Sequence, residues 1–293
     1  MRNAVRAAAM LIAVTWSVCH SAPALAQRPP GMSPSAWDPL KSDLQNPQIE
    51  IVYEEPKNPN LRPIYERLKK RQVLEELRAF LAPLRLPKPV RVRTAECGAT
   101  TSPYQPDGPV TICYDYIALM ESRAPEDWVP IGGYSFLRSY AITGAFVSEA
   151  LHEFALAAFD LLEIPVWGGD QHAADRVAAL IMLQFGGPTA YKTLMGTAWF
   201  LAQTSVTGIG EFSTTMGEDL QVQRFYNYLC VAYGADPQFF SFLKATLEKR
   251  RQSCGFEYDQ IFRAFSNTFM PYVDRDLMKK VQAIEWLRPD DGK

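Results

Sequence analysis

The pair of residues with the most chemical potential is His152-Glu153, inside Ala150-Leu151-His152-Glu153-Phe154-Ala155-Leu156. A His-Glu step on an apolar helix is the first half of H-E-x-x-H. There two imidazoles at i and i+4 bind Zn²⁺ and the glutamate activates a metal-bound water. At 3.6 residues per turn the second imidazole comes back over the first. Here that position is Leu156, which has no lone pair to offer. Other donors stand close in sequence. Glu149 precedes His152 by three, the spacing of carboxylate-bridged metal helices, and His172 and Asp175 follow. A second E-x-x-H is missing, so a two-metal site is not expected.

These side chains need elements to carry them. Residues 136–164 are mostly apolar and read as one long helix stopped by Pro165. Trp167-Gly168-Gly169 reads as a turn, and Asp170 as the N-cap of a helix running to about Phe185. Upstream, Ile64, Leu68, Val73, Leu77 and Leu81 predict an amphipathic helix over 63–82, between two prolines. Residues 90–94 alternate with period two and predict a strand. A turn-rich stretch then leads to a second strand over 110–114. Further helices are expected at 190–203, 220–233, 237–250 and 255–269, with no internal repeat. A small sheet followed by a helical body predicts a single α+β domain over 61–288. Eight prolines fall between 27 and 63, so 27–60 reads as a Pro-rich leader or an arm draped over the domain.

Residues 1–26 read as a secretory signal. Arg2 and Arg6 open it, an apolar stretch of about a dozen residues follows, too short to span a bilayer, and Ala24-Leu25-Ala26 supplies the cleavage pattern. Cleavage would leave 28 basic against 32 acidic residues, a charge of −4, and only two histidines, 152 and 172. That balance gives no basic stripe for nucleic acid, and no membrane span is expected after cleavage. Four cysteines would remain: Cys97, Cys113, Cys230 and Cys254. An even number in an exported chain favours disulfides. Of three possible pairings the short loops favour Cys97–Cys113 and Cys230–Cys254, at about 3 kcal/mol each in the chain-entropy account. A Cys₄ zinc site is the rival, but no C-x₂-C spacing supports it.

The chain resembles a bacterial zinc metallopeptidase-type family catalogued as a domain of unknown function. Leu151-His152-Glu153, the stretch Leu162-Glu163-Ile164-Pro165-Val166 and Ala173-Ala174-Asp175 resemble its H-E-L-G-H-A and L-P-V-x-G-R-E-E-D-A-x-D segments. Residues 223–237, QRFYNYLCVAYGADP, are similar to its Q-R-F-Y-N-x-x-C-x-x-Y-G-x-D-P block, Cys113-Tyr114 to its C-Y-E and Cys97-Gly98 to its C-G. The likeness covers about 61–272. It implies a zincin-like fold with a gluzincin-like site: His152 as first ligand, Glu153 as general base and Asp175 as the carboxylate that orients an imidazole. The same pattern puts the second ligand at Leu156 and the third at Gln171, and a further histidine near Glu218. Neither Leu156 nor Gln171 can replace an imidazole or a carboxylate on zinc, so Glu153 would have no acidified water to work on.

The sequence therefore points to an exported, metallopeptidase-like protein, periplasmic or secreted, with an incomplete zinc site and no cofactor. It would be catalytically inactive and act as a binding or envelope module for a peptide, protein or envelope component. His152 would then be a core histidine bonded to Asp175 or Glu149, with Leu156 filling the vacated space. Glu153 would pair with Arg176 or Arg224, and His172 would sit exposed at a helix start. Phe225, Tyr226, Tyr228 and Tyr233 read as core. The alternative is an active metal-dependent peptidase with zinc in a rearranged site of His152, Glu153, His172 and Asp175.

Overall fold

A computed structural model describes residues 44–99, 104–124, 128–131, 134–206, 219–284 and 286–287. The expected signal segment, the Pro-rich stretch up to residue 43 and Glu218 lie outside the described residues. The chain first forms strand β1 (Ile49–Tyr53), then helices α1 (Arg62–Lys70) and α2 (Val73–Phe80). Strands β2 (Val90–Ala95) and β3 (Val110–Cys113) complete a three-stranded sheet in the order β1-β2-β3, with both pairings parallel. Val92, Val110 and Ile112 share one face of the sheet and have no exposed surface, while Glu50 and Arg91 pair on the opposite face in solvent.

Several sequence expectations need correction here. Ile49-Glu50-Ile51-Val52-Tyr53 lies inside the stretch read as a leader, where the surrounding prolines hid its β-rich run. The helix expected over 63–82 is two helices, broken at Gln72, whose φ of 53° is left-handed. The break lets the Leu74 N–H reach the Tyr53 hydroxyl at 2.8 Å, which ties α2 to β1. Tyr114, expected to end a strand, begins helix α3 (Tyr114–Arg123). A hairpin, β4 (Trp128–Ile131) and β5 (Tyr134–Leu137), was not anticipated.

The helical body follows. It comprises α4 (Arg138–Leu161), α5 (Asp170–Leu183), α6 (Gly187–Val206) and α7 (Asp219–Ala235). The predicted helix over 237–250 is instead a turn after Asp236, whose carboxylate accepts from the N–H groups of Gln238 and Phe239, followed by short helical pieces interrupted at Glu248, where φ is +45°. After it come α8 (Arg251–Thr268) and α9 (Arg275–Gln282), the latter capped by the Asp274 carboxylate.

Helix α4 is the central post, buried along nearly its whole length. It meets α6 at backbone contact distance: a Cβ on Gly196 would sit 2.2 Å from the Tyr140 carbonyl oxygen. Thr197 Oγ1 donates to the Gly144 carbonyl at 3.1 Å across that crossing. Two disulfides staple the periphery, Cys97–Cys113 joining the end of β3 to the loop after β2, and Cys230–Cys254 joining α7 to α8. The architecture is α+β, with the sheet small and the helices dominant.

Candidate functional site

Helices α4, α5 and α7 each contribute to one buried polar cluster. Because α4 is helical through 149–153, Glu149, His152 and Glu153 fall within a turn of one another on its buried length. The first turns of α5 bring up Gln171 and Asp175, four apart and therefore on the same face. Arg224 and Tyr228 stand at the same spacing on α7.

Asp175 is the hub, with 2% of its surface exposed. Its Oδ1 accepts from His152 Nδ1 at 2.8 Å, from Arg224 Nη2 at 2.8 Å and from the Tyr228 hydroxyl at 3.2 Å. Its Oδ2 accepts from Arg224 Nε at 2.7 Å, which completes a two-pronged guanidinium–carboxylate pair. Tyr228 is linked onward to Ser148 Oγ at 3.0 Å. The other ring nitrogen of His152, Nε2, faces Gln171 Oε1 at 3.0 Å. With the amide so oriented both ring nitrogens act as donors, one to Asp175 and one to Gln171.

The electrostatics follow from these contacts. Burial alone would raise the Asp175 carboxyl, but the Arg224 guanidinium and the His152 hydrogen bond outweigh it and hold the group at about 2. Burial opposes the charge on His152, yet the hydrogen bond and charge of Asp175 shift its pKa upward. Burial lifts Glu149, with Asp175 adding to the effect. Burial, then the charge of Glu149, pushes Glu153 up to about 7.

Glu153 is not paired with Arg176 or Arg224 as anticipated. Its Oε2 accepts from the backbone N–H of Tyr104 at 2.9 Å, and the Tyr104 hydroxyl donates to Asp160 at 2.8 Å. The loop before β3 is thus strapped to α4. An acid whose folded pKa lies above its unfolded 4.5 favours folding while protonated, and that advantage is lost as pH rises through about 7. Glu153→Gln keeps an acceptor for Tyr104 and removes the titration. Denaturant unfolding at about pH 5 and about pH 8 should then show the wild type losing about 2–3 kcal/mol relative to the variant. Parallel pH profiles would rule out a buried, raised carboxyl at 153.

As a donor set for zinc the cluster does not fit. His152 Nε2, the nitrogen left after Nδ1 bonds Asp175, faces Gln171, which offers only a neutral amide, and Leu156 presents carbon in the core with 7% exposure. His172 lies in the first turn of α5, half-buried rather than exposed, and its Nδ1 has no hydrogen-bond partner. Among the described residues no group of three His, Cys, Asp or Glu is arranged to hold a metal ion. What the cluster can do is hold a fixed pattern of charge in the middle of three helices.

Of the two partners expected for His152, Asp175 or Glu149, the bond goes to Asp175; Arg224, one of two arginines expected on Glu153, pairs with Asp175 instead, and Tyr228, read as core, also donates to it. The Arg224/Tyr228 spacing on a helix signalled a shared face. Tyr104 left no signal, because its contribution is a backbone N–H. Residues 53–268 match the family model DUF4344, described as "Putative metallopeptidase". No curated protein and no solved structure matches the chain.

Proposed function

We propose, from the premise that the chain belongs to the DUF4344 metallopeptidase family, that it is a member which has exchanged zinc chemistry for a buried ion-pair network and works by binding. The observation that carries this reading is the pair of bonds on His152, 2.8 Å to Asp175 and 3.0 Å to Gln171. A zinc ligand needs an imidazole lone pair aimed at the ion. Here one nitrogen is bonded to the carboxylate that would orient a ligand, and the other to the residue standing at the expected third ligand position. Without metal, Glu153 has no acidified water to deprotonate. Its carboxyl serves to anchor the Tyr104 loop instead.

The chain would act in an oxidising compartment outside the cytoplasm. Two disulfides support this, and the expected signal segment accords with it. Protein purified without a histidine tag or added metal should contain far less than one zinc per chain and hydrolyse no peptide, with or without added zinc. One zinc per chain, lost together with hydrolysis in His172→Ala, would establish the rearranged active site and overturn this reading.

A further inference from the structure

The largest exposed aromatic of the described residues lines a groove to which no residue of the His152 network contributes. Trp167 is 95% exposed, followed by Gly168 at a φ of +93°, in the turn between α4 and α5. It stands at the rim of a groove of about 470 Å³ between α5 and α8. The floor is apolar and buried, built from Phe159, Val177, Leu180 and Phe269. Phe256, 65% exposed, lines the same groove from α8. Two large exposed aromatics beside one apolar floor are an uncommon use of surface, and they mark a binding surface rather than ordinary scatter. The volume lies in the range of small-molecule sites.

One cation breaks the apolar lining. Arg176 shares the α5 face of Ala173, Val177 and Leu180, so helical spacing places it over the groove. It is exposed and makes no ion pair or hydrogen bond among the described residues. The acid in the lining, Glu257, is already engaged, accepting from Ser253 Oγ at 2.6 Å and facing Arg250 at 3.5 Å. Gln260, across on α8, adds an exposed amide. An apolar floor with an unmatched guanidinium and a neutral donor complements a ligand with an apolar body and one anionic head.

We propose that this groove binds a single-chain carboxylate amphiphile. The tail lies on Phe159, Val177 and Phe269, Trp167 and Phe256 flank it, and the carboxylate pairs with Arg176. This rests on the reading that the chain works by binding, but not on the fate of the zinc site, which metal content measures separately.

The test is calorimetric titration of the full chain with decanoate below its micelle-forming concentration, beside 1-decanol as the uncharged tail. Decanoate should bind at one per chain and shift the emission of Trp167, a shift that is absent in Trp167→Phe. Arg176→Gln, an exposed substitution, should weaken decanoate about 5–10-fold while leaving 1-decanol unchanged. Equal binding of both ligands, equal loss of both in the variant, or no saturable binding would each overturn the proposal.

Discussion

Asp175→Asn lowers the stability of the folded chain by about 3–5 kcal/mol, the cost of leaving buried charge without its partner. In a domain of this size that is a fall in Tm of about 10 °C or more. The substitution is nearly isosteric, so no cavity confuses the result. What changes is charge and hydrogen-bond sense. Arg224 and His152 stay between the helices, with side chains 18% and 3% exposed, and lose their counter-ion. One oxygen that accepted bonds becomes an N–H₂ aimed at other donors. The pH dependence has a definite sign. Asp175 is held at about 2 in the folded chain against an ordinary 3.8, so its ionisation stabilises the fold above about pH 4. That contribution disappears as pH falls through about 2. The wild type should therefore show an acid limb to its stability between about pH 4 and 2 that the variant lacks. A variant melting within a degree or two of wild type would show that the network carries little energy.

Leu156→His combined with Gln171→Glu gains zinc affinity of about a thousandfold or more over wild type. Losing even an outer partner of a zinc site costs about 10–100-fold, and the pair restores two inner donors at once. The support for such a site is already standing. Asp175 bonds His152 Nδ1, the arrangement that fixes a metal-ligating imidazole with Nε2 outward. A histidine at 156 returns one turn later on α4, and a glutamate at 171 faces Nε2 with a carboxylate where an amide stands. Either single variant should gain little, since two protein donors fall short of the three that catalytic zinc uses. Competition with a chromogenic chelator reads the affinities directly. A double variant no better than wild type would mean that 156 and 171 do not face the metal position.

The elements that carry the site were the most legible part of the sequence. Apolar density and Pro165 predicted 136–164, and the helix is Arg138–Leu161; Asp170, read as the N-cap, is instead the first helical residue of α5, with Gly169 at the cap and no side-chain cap bond. The strands at 90 and 110 and both disulfides followed from alternation and loop length. β1 was lost because prolines dominate its surroundings, although Ile49, Ile51 and Tyr53 carry a strand pattern. The site was legible only in part. His152 and Asp175 lie 23 residues apart on consecutive helices, which short connections bring together. Arg224 lies 49 residues beyond Asp175, and sequence spacing cannot say which of several buried carboxylates it reaches. Tyr228 is a core residue and a hydrogen-bond donor at once, at 1% exposure, and only geometry separates those roles.

The most direct test is the ¹⁵N chemical shift of the two ring nitrogens of His152 at about pH 6.5, before and after one equivalent of zinc. A ring clamped between Asp175 and Gln171 keeps a proton on both Nδ1 and Nε2, and neither shift moves when zinc is added. Loss of the Nε2 proton with a shift to the metal-bound range would show a lone pair free to hold the ion, and would contradict the account.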